Sequence, residues 1–539
     1  MNKIKNNLNI IITSIFLSIA INMEILLKNN PDTIRFLSNT NYFYLFIKFI
    51  LFGTISFILL KFLIKTVEKI NLNTYKYKDK HIKKVFLISF TALFTIWIIS
   101  YLTFFPGGGD YDTFYQLTSP GAASSQHPIG YSYLLNIFTI KLGYNILGNG
   151  IIGFGIFTFL QMIFIISTLS YTMAFLAKRN TSPILLSIIL GIYTFTPIYA
   201  TYSIFAVKDV LFACLLIYLF LLLIKVIETK GEYLNNKFFI IFYILLNTSL
   251  FLTRSNAFVI YIITTIILII HYKKYFNKKL LILLLLPFII NTSANKFIQK
   301  RYNVKHYFQE SMAIPLQQIS AVVAYDGTLS EGEKDLVSHL LSFEEIKKSY
   351  NHSTVDPIKW HQDFDREYLQ INKVRFLKNW TTILLKNFDI YVESYAYQTE
   401  SFWSFGLITT GHNMYFDVFS NKTDGYVESQ KERYNLYQED LFSENIQDKL
   451  ENFYYKYSQY LYPGLCIWLI IISMLITSYK NKDYTLLYIP YISMWISIMC
   501  ATPLSFSLRY MFPFILIFPI LISIPIIIPK RDYYLQSKY

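Results

Sequence analysis

Charge is what this sequence has least of. Only 15% of its 539 residues are charged, while 54% are hydrophobic. A soluble chain carries about a quarter charged residues, so a soluble globular fold is excluded. Cysteine is nearly absent. The three present, Cys214, Cys466 and Cys500, lie within apolar runs, which argues against a disulfide framework or a zinc site. The lysines behind the net charge of +15 form no face and no patch interleaved with aromatics, so nucleic acid is not an expected partner. The first apolar run, 8–27, follows Lys3 and Lys5 but ends in NMEILLKNN without a small-residue cleavage site. It reads as a retained span rather than a signal peptide. No internal repeat argues for inverted transporter halves. The middles of the apolar runs are nearly free of ionisable residues, against what a transporter or flippase of lipid-linked glycan needs.

What the chain has instead is repeated apolar stretches of roughly 20 residues, the signature of a polytopic membrane protein. Twelve candidate spans fall at about 8–27, 42–64, 85–105, 150–176, 183–201, 210–229, 238–253, 257–272, 280–295, 457–478, 484–501 and 511–529. The apolar but glycine-broken segment 128–148 reads as interfacial or re-entrant. Lysine and arginine concentrate in alternate loops: 65–84, AKRN, KGEYLNNK, HYKKYFNKK, YKNKD and the C-terminal PKRDYYLQSKY. The positive-inside rule therefore predicts a cell-membrane protein with both termini in the cytoplasm. The loops 28–41, 106–149, 202–209, 254–256 and 502–510 then face outward. The expected fold is an α-helical polytopic membrane protein of about 12 transmembrane helices with a mainly helical extracytoplasmic domain. Its divisions are an N-terminal transmembrane region 1–295 with outer loop 106–149, the polar domain 296–455, and a C-terminal transmembrane region 456–539. Trp360, Trp380 and Trp403 give that polar domain a core or a membrane-resting face.

The outer loop opens FFPGGGDYDTFYQ, with Asp110 and Asp112 one residue apart after three glycines. Thr113-Phe-Tyr-Gln116 fits a capping box, which would make the acids helix-start residues and the glycines a turn. The alternative is chemical: two carboxylates at a membrane surface can act as a general base or hold a divalent cation. Partial desolvation would raise the pKa and basicity of such a carboxylate. His127 lies in the same loop. Lys208, Arg254 and Arg509 lie in outer loops otherwise poor in cations. Singly, each reads as a cation snorkelling at a helix end, with Asp209 as partner to Lys208. Together, opposite an acidic loop, they read as a clamp for a lipid phosphate.

These features, in this order, resemble the GT-C superfamily of integral-membrane glycosyltransferases, and most nearly an uncharacterised bacterial polytopic family of that clan. The matching residues are Pro106-Gly107, Asp112, Gln116, His127-Pro128, Lys208-Asp209, IPLQQIS (314–320), YNHSTVDPIKW (350–360) and Arg509-Tyr510. Arg254-Ser255-Asn256-Ala257 departs from the family's Arg-Asn-Asn-Gly-like element, and Ala321 stands where a basic residue is expected. The resemblance implies transfer of a sugar, with inversion, from a polyprenyl-phosphate donor to a cell-envelope acceptor on the outer face of the bacterial membrane. That acceptor is a glycan, lipid or protein. Asp112 or Asp110 would be the base, and Gln116, His127, Lys208, Arg254 and Arg509 would bind substrate. Mg or Mn on the acid pair is possible chemistry but not demanded. A polysaccharide polymerase or ligase is the other enzymatic reading.

Overall fold

The protein is described here by a computed structural model covering residues 2–31, 33–70, 75–118, 127–302, 308–406, 425–437, 441–458, 462–502, 504–505 and 508–529. The loop portion 119–126 and the basic C-terminal segment from 530 onward lie outside the described residues. Among the described residues, nine helices are long and apolar enough to cross a membrane. They are Asn7–Asn29, Tyr42–Lys69, Asp79–Thr103, Gly150–Ala177, Lys208–Glu228, Leu280–Phe297, Pro463–Lys480, Lys482–Ala501 and Leu508–Ile527. The chain is thus a helical polytopic membrane protein. The expected span 183–201 is a pair, Pro183–Phe195 and Pro197–Ser203, bent by 62°. Pro197 has no N–H to continue the helix and forces Thr196 out of helical geometry (ψ 117). The expected spans 238–253 and 257–272 form helices of 17 and 15 residues, Lys237–Thr253 and Ala257–His271. At 1.5 Å per residue each is shorter than the roughly 30 Å hydrocarbon core.

The last helix, Leu508–Ile527, contains Pro513, Pro519 and Pro525 yet stays helical. Each proline strips the carbonyl four residues earlier of its helical donor, and a buried carbonyl without a donor costs about 1–3 kcal/mol. For Pro519 and Pro525, neighbours supply the missing donors. Tyr199 Oη donates to Ile515 O at 3.0 Å, and Ser473 and Tyr488 hydroxyls lie 2.8 and 3.0 Å from Leu521 O. These bonds bind the last helix to the bent pair and to Pro463–Lys480, which fixes where its first turn, and Arg509, must lie.

The Lys-poor and Lys-rich loops segregate to opposite ends. At one end, loop 106–110 pairs with 204–206, Arg254 with Asp209, Arg509 with the acidic loop, and Ser505 N–H with Ser353 O at 2.6 Å. At the other, Arg179 meets Glu228 at 2.8 Å, His271 meets Asp483 at 3.3 Å, and Tyr75 N–H reaches Asn180 O at 3.4 Å.

The polar region builds on the first end. Ser330 and Glu333 form a capping box, with Glu333 also held by Thr382 and Lys386. Glu393 takes backbone donors from Arg35 and, at 2.7 Å, from Leu37, so this region seats on the loop between the first two spans. Gln398 holds Thr502 O at 3.0 Å and Tyr395 holds Met499 O at 3.0 Å. Of the three tryptophans, Trp403 is buried, Trp380 is half-buried and bonds Gln318, and Trp360 is exposed. Packing runs across the sequence divisions. One apolar core joins the spans from Asp79–Thr103 onward, while a second joins the first two helices to the polar region and to Trp468, Leu475 and Ile476.

The charge rule predicts that the Lys-rich end faces the cytoplasm. A cysteine at the exposed Ser338, in a Cys500→Ala background because Cys500 is also exposed, should therefore label with an impermeant thiol reagent on intact cells. Labelling only after permeabilisation would reverse the orientation.

Candidate functional site

The glycine run does more than allow a turn. Gly107 has φ +97, and a Cβ there would lie 2.5 Å from Ile204 O. Gly108 N–H donates to Ile204 O at 3.1 Å, and Ala206 N–H returns a bond to Gly108 O at 2.7 Å. A Cβ on Gly109 would meet Thr113 at 2.8 Å. At Gly107 only backbone without a side chain fits this close against 204–206, the strap that leads into Lys208. Thr158 Oγ1 anchors the loop by donating to Pro106 O at 2.6 Å.

The capping box forms three residues earlier than its sequence match. Helix Tyr111–Thr118 is capped by Asp110, whose Oδ1 accepts Thr113 N–H at 2.9 Å while Asp110 N–H points at Thr113 Oγ1 at 3.3 Å. Aspartate is as good an N-cap as threonine, and it precedes the first helical turn. Gln116 has both ends engaged by the protein. It donates to Asp112 O at 2.9 Å and accepts from Ser132 at 3.0 Å, tying this helix to Ile129–Asn136.

Asp112 caps nothing. Its carboxylate meets Arg509 Nη1 at 2.6 Å, and the same nitrogen contacts Asp110. His127 Nε2 stands 3.9 Å and Lys208 Nζ 4.0 Å from Asp112. Lys208 Nζ also lies 3.0 Å from His127 Nδ1. An ammonium can only donate, so Nδ1 accepts and the ring proton belongs on Nε2, toward Asp112. Burial, aided by the Lys208 charge, lowers the His127 pKa to about 3, so the imidazole is neutral at pH 7.

Two expectations are corrected here. Asp209 is fully buried and pairs with Arg254, not with Lys208, whose partners are His127 and Asp112. The Asp112 carboxyl is not raised either. Burial pushes it up, but Arg509 and Lys208 outweigh burial and hold it well below the usual carboxylate range. Arg254 and Arg509 flank one aromatic ring, their guanidinium carbons 4.9 and 5.0 Å from the Tyr510 centroid. With His127 neutral, the carboxylates Asp110, Asp112 and Asp209 balance the cations Lys208, Arg254 and Arg509. As arranged the acid pair is a poor metal site. Arg509 lies where a divalent ion would sit, and the described residues hold no group of three or more His, Cys, Asp or Glu able to bind one.

Asp110, Asp112, His127, Lys208, Arg254 and Arg509 are thus brought together from four separate stretches, with Gln116 behind them. Sequence reasoning passed over Tyr510 as a spacer between guanidiniums and Asp209 as the partner of Arg254. An arginine and an aspartate at two helix ends carry no spacing signal to pair them.

Fold and site together define a helical polytopic membrane protein with a charge-balanced acid and base cluster at one end of its spans. The chain belongs to a family of unknown function, DUF6020, whose model matches residues 82–528. The match takes in every residue of the cluster and leaves out the first two helices. No curated protein and no solved structure matches the chain.

His127 gives the site a pH signature. Its folded pKa of about 3 lies below the ordinary 6.5, so between those values the folded state binds fewer protons than the unfolded one. Stability should fall as pH drops through that window, by up to about 1.4 kcal/mol per unit. Thermal unfolding in micelles from pH 7.5 to 5 should show this slope, flattened in His127→Gln. Equal slopes would mean that His127 is not buried in neutral form.

Proposed function

We propose that this protein is an inverting glycosyltransferase of GT-C-like architecture. It moves a sugar from a polyprenyl-phosphate donor to a cell-envelope acceptor on the outer face of the membrane. The proposed architecture has twelve spans, with the bent pair and the two shorter helices crossing and both termini in the cytoplasm. The observation that carries the reading is the shared Arg509: one guanidinium on two acids, with Lys208 and Arg254 beside it.

A lipid phosphate entering this cluster competes with the carboxylates for Arg509. Guanidinium binds phosphate in a fork, and desolvated charge-assisted bonds are the strong ones. As Arg509 turns toward phosphate, Asp112 loses the partner that lowers its pKa and regains basicity. The acceptor O–H then attacks the anomeric carbon, its proton passes to Asp112, and the carbon–oxygen bond to phosphate breaks. The phosphate leaves with the electron pair, its charge held by Arg509, Lys208 and Arg254. His127 keeps Lys208 oriented and offers Nε2–H toward Asp112. Asp110, committed to the helix cap and to Thr113, suits the base role less well. The charged groups sit at helix ends rather than mid-span, which favours surface chemistry over a transport path.

Asp112→Asn keeps shape and removes the base, so transfer should fall roughly 100- to 10,000-fold in membranes at equal abundance. Asp110→Asn keeps its cap, and should cost less. Near-normal transfer in both variants would leave the cluster a structural ion network and end the enzyme reading. In Arg509→Ala and Lys208→Ala vesicles, apparent donor affinity should weaken more than acceptor use. Unchanged donor dependence in both would rule out the phosphate clamp.

A further inference from the structure

Helix Lys373–Lys386 of the polar region is apolar on two sides and packed on one. Its inner side, Phe376, Trp380 and Ile383, enters the core shared with the first two helices, where Trp380 donates to Gln318 at 2.8 Å. At about 3.6 residues per turn, positions 374, 378, 381 and 385 fall on the opposite side. There Val374 is 82% and Leu385 80% exposed, with Leu377 exposed beside them. Just beyond the two ends of the helix, Ile371 is 82% and Phe388 68% exposed. Single exposed apolar residues are ordinary, but a row of them on one helix marks a surface that something covers.

The charge on this helix has one sign. It carries four cations, Lys373, Arg375, Lys378 and Lys386, and no acid. Two are spent on the neighbouring helix Glu331–Leu340, Arg375 on Asp335 at 2.8 Å and Lys386 on Glu333 at 2.8 Å. Among the described residues Lys373 and Lys378 form no ion pair. Lys373 Nζ lies 4.6 Å from the Phe308 ring centroid, and Lys378 stands exposed within the row.

One end of the row is tied to the membrane surface. Asn387, next to Phe388, clasps the N–H and O of Thr328 at 2.7 and 2.9 Å. Arg35 reaches the same turn, bonding Asp326 O at 3.0 Å. Glu393, on the helix that Phe388 begins, accepts Leu37 N–H at 2.7 Å. Arg35 and Leu37 belong to the loop joining the spans Asn7–Asn29 and Tyr42–Lys69. At 1.5 Å per residue, Phe388 stands about 7.5 Å along its helix from Glu393. The second span then opens with Tyr42, Phe43 and Tyr44, all exposed, as aromatics sit at a membrane–water interface.

We propose that this row is a membrane-docking surface, by which the polar region rests helix Lys373–Lys386 on the leaflet at its own end of the spans. Val374, Leu377 and Leu385 enter the headgroup region, and Lys373 and Lys378 meet the phosphates of anionic phospholipids. The chemistry selects that partner. An amphipathic helix with apolar residues on one side and cations without acids lies in such an interface. The lysine stems follow the apolar residues while the ammonium stays at phosphate depth. The two unpaired cations favour an anionic surface over a neutral one. This surface is independent of the transferase reading and holds for either orientation of the chain.

The test uses the full-length protein with Cys500→Ala, one copy per nanodisc. Nitroxide labels on Val374→Cys and Leu385→Cys should collide several-fold more with oxygen, which concentrates in lipid, than with a water-soluble nickel chelate. A label on Glu344→Cys, at an exposed position in the acidic first turn of Phe343–Ser349, should do the reverse. In phosphatidylcholine discs containing phosphatidylglycerol, Lys373→Glu and Lys378→Glu should each shift the labelled helix toward water by at least about fivefold. In phosphatidylcholine alone the shift should be smaller. These side chains lie at the surface, so melting in micelles should match wild type, which separates undocking from misfolding. Labels at 374 and 385 as open to the nickel chelate as the label at 344 would overturn the proposal. Labels shielded from both reagents would mean that protein rather than lipid covers the row, and would overturn it too. Lipid contact unchanged by both lysine substitutions would overturn the choice of an anionic surface.

Discussion

One guanidinium holds this molecule's ends together. Arg509 stands in the first turn of the last helix, and its two acidic partners lie in the first loop after the third helix, some four hundred positions earlier in the chain. Two carboxylates so close together would repel strongly if left alone in a partly desolvated site. Arg509 bonds to both, and they in turn hold the last helix to the glycine loop. The same bond explains why Asp112 is acidic rather than basic: the attraction of Arg509 and the charges beside it exceeds the penalty of burial.

Much of the remaining structure keeps that contact in register. Two of the three prolines in Leu508–Ile527 free carbonyls that Tyr199, Ser473 and Tyr488 satisfy, so the helix is keyed by specific donors on its neighbours. On the other partner, Gly107 lets backbone lie on the 204–206 strap, and Thr158 fixes its start. The strap follows from the break at Pro197, and the short helix after that break is wholly buried. Irregular backbone of this kind is tolerated among membrane helices when protein surrounds it.

The polar region is part of the same construction. Its straps run from Glu310 and Lys359 through Thr354 to Leu504 and Ser505. Gln398 and Tyr395 hold the end of the preceding span. IPLQQIS and YNHSTVDPIKW, separate stretches in the sequence, touch through Gln317 and Asn351. Short polar motifs far apart in the chain become one support for Leu504 and Ser505.

By itself the sequence determined the membrane class, the approximate positions of the helical segments and the sorting of loops by lysine content. Those follow from composition and local hydropathy, which need no partner in space. It also named most of the charged cluster, because cations in Lys-poor loops and an acid pair after a glycine run are visible one residue at a time. Tertiary structure alone decided the pairings. Asp209 went to Arg254, Lys208 to His127, Gln116 to Ser132, and Asp110 rather than Thr113 became the cap. It also set the direction of the Asp112 shift. A pKa and a hydrogen bond depend on distances of a few ångströms between groups hundreds of residues apart, and no periodicity along the chain encodes those distances.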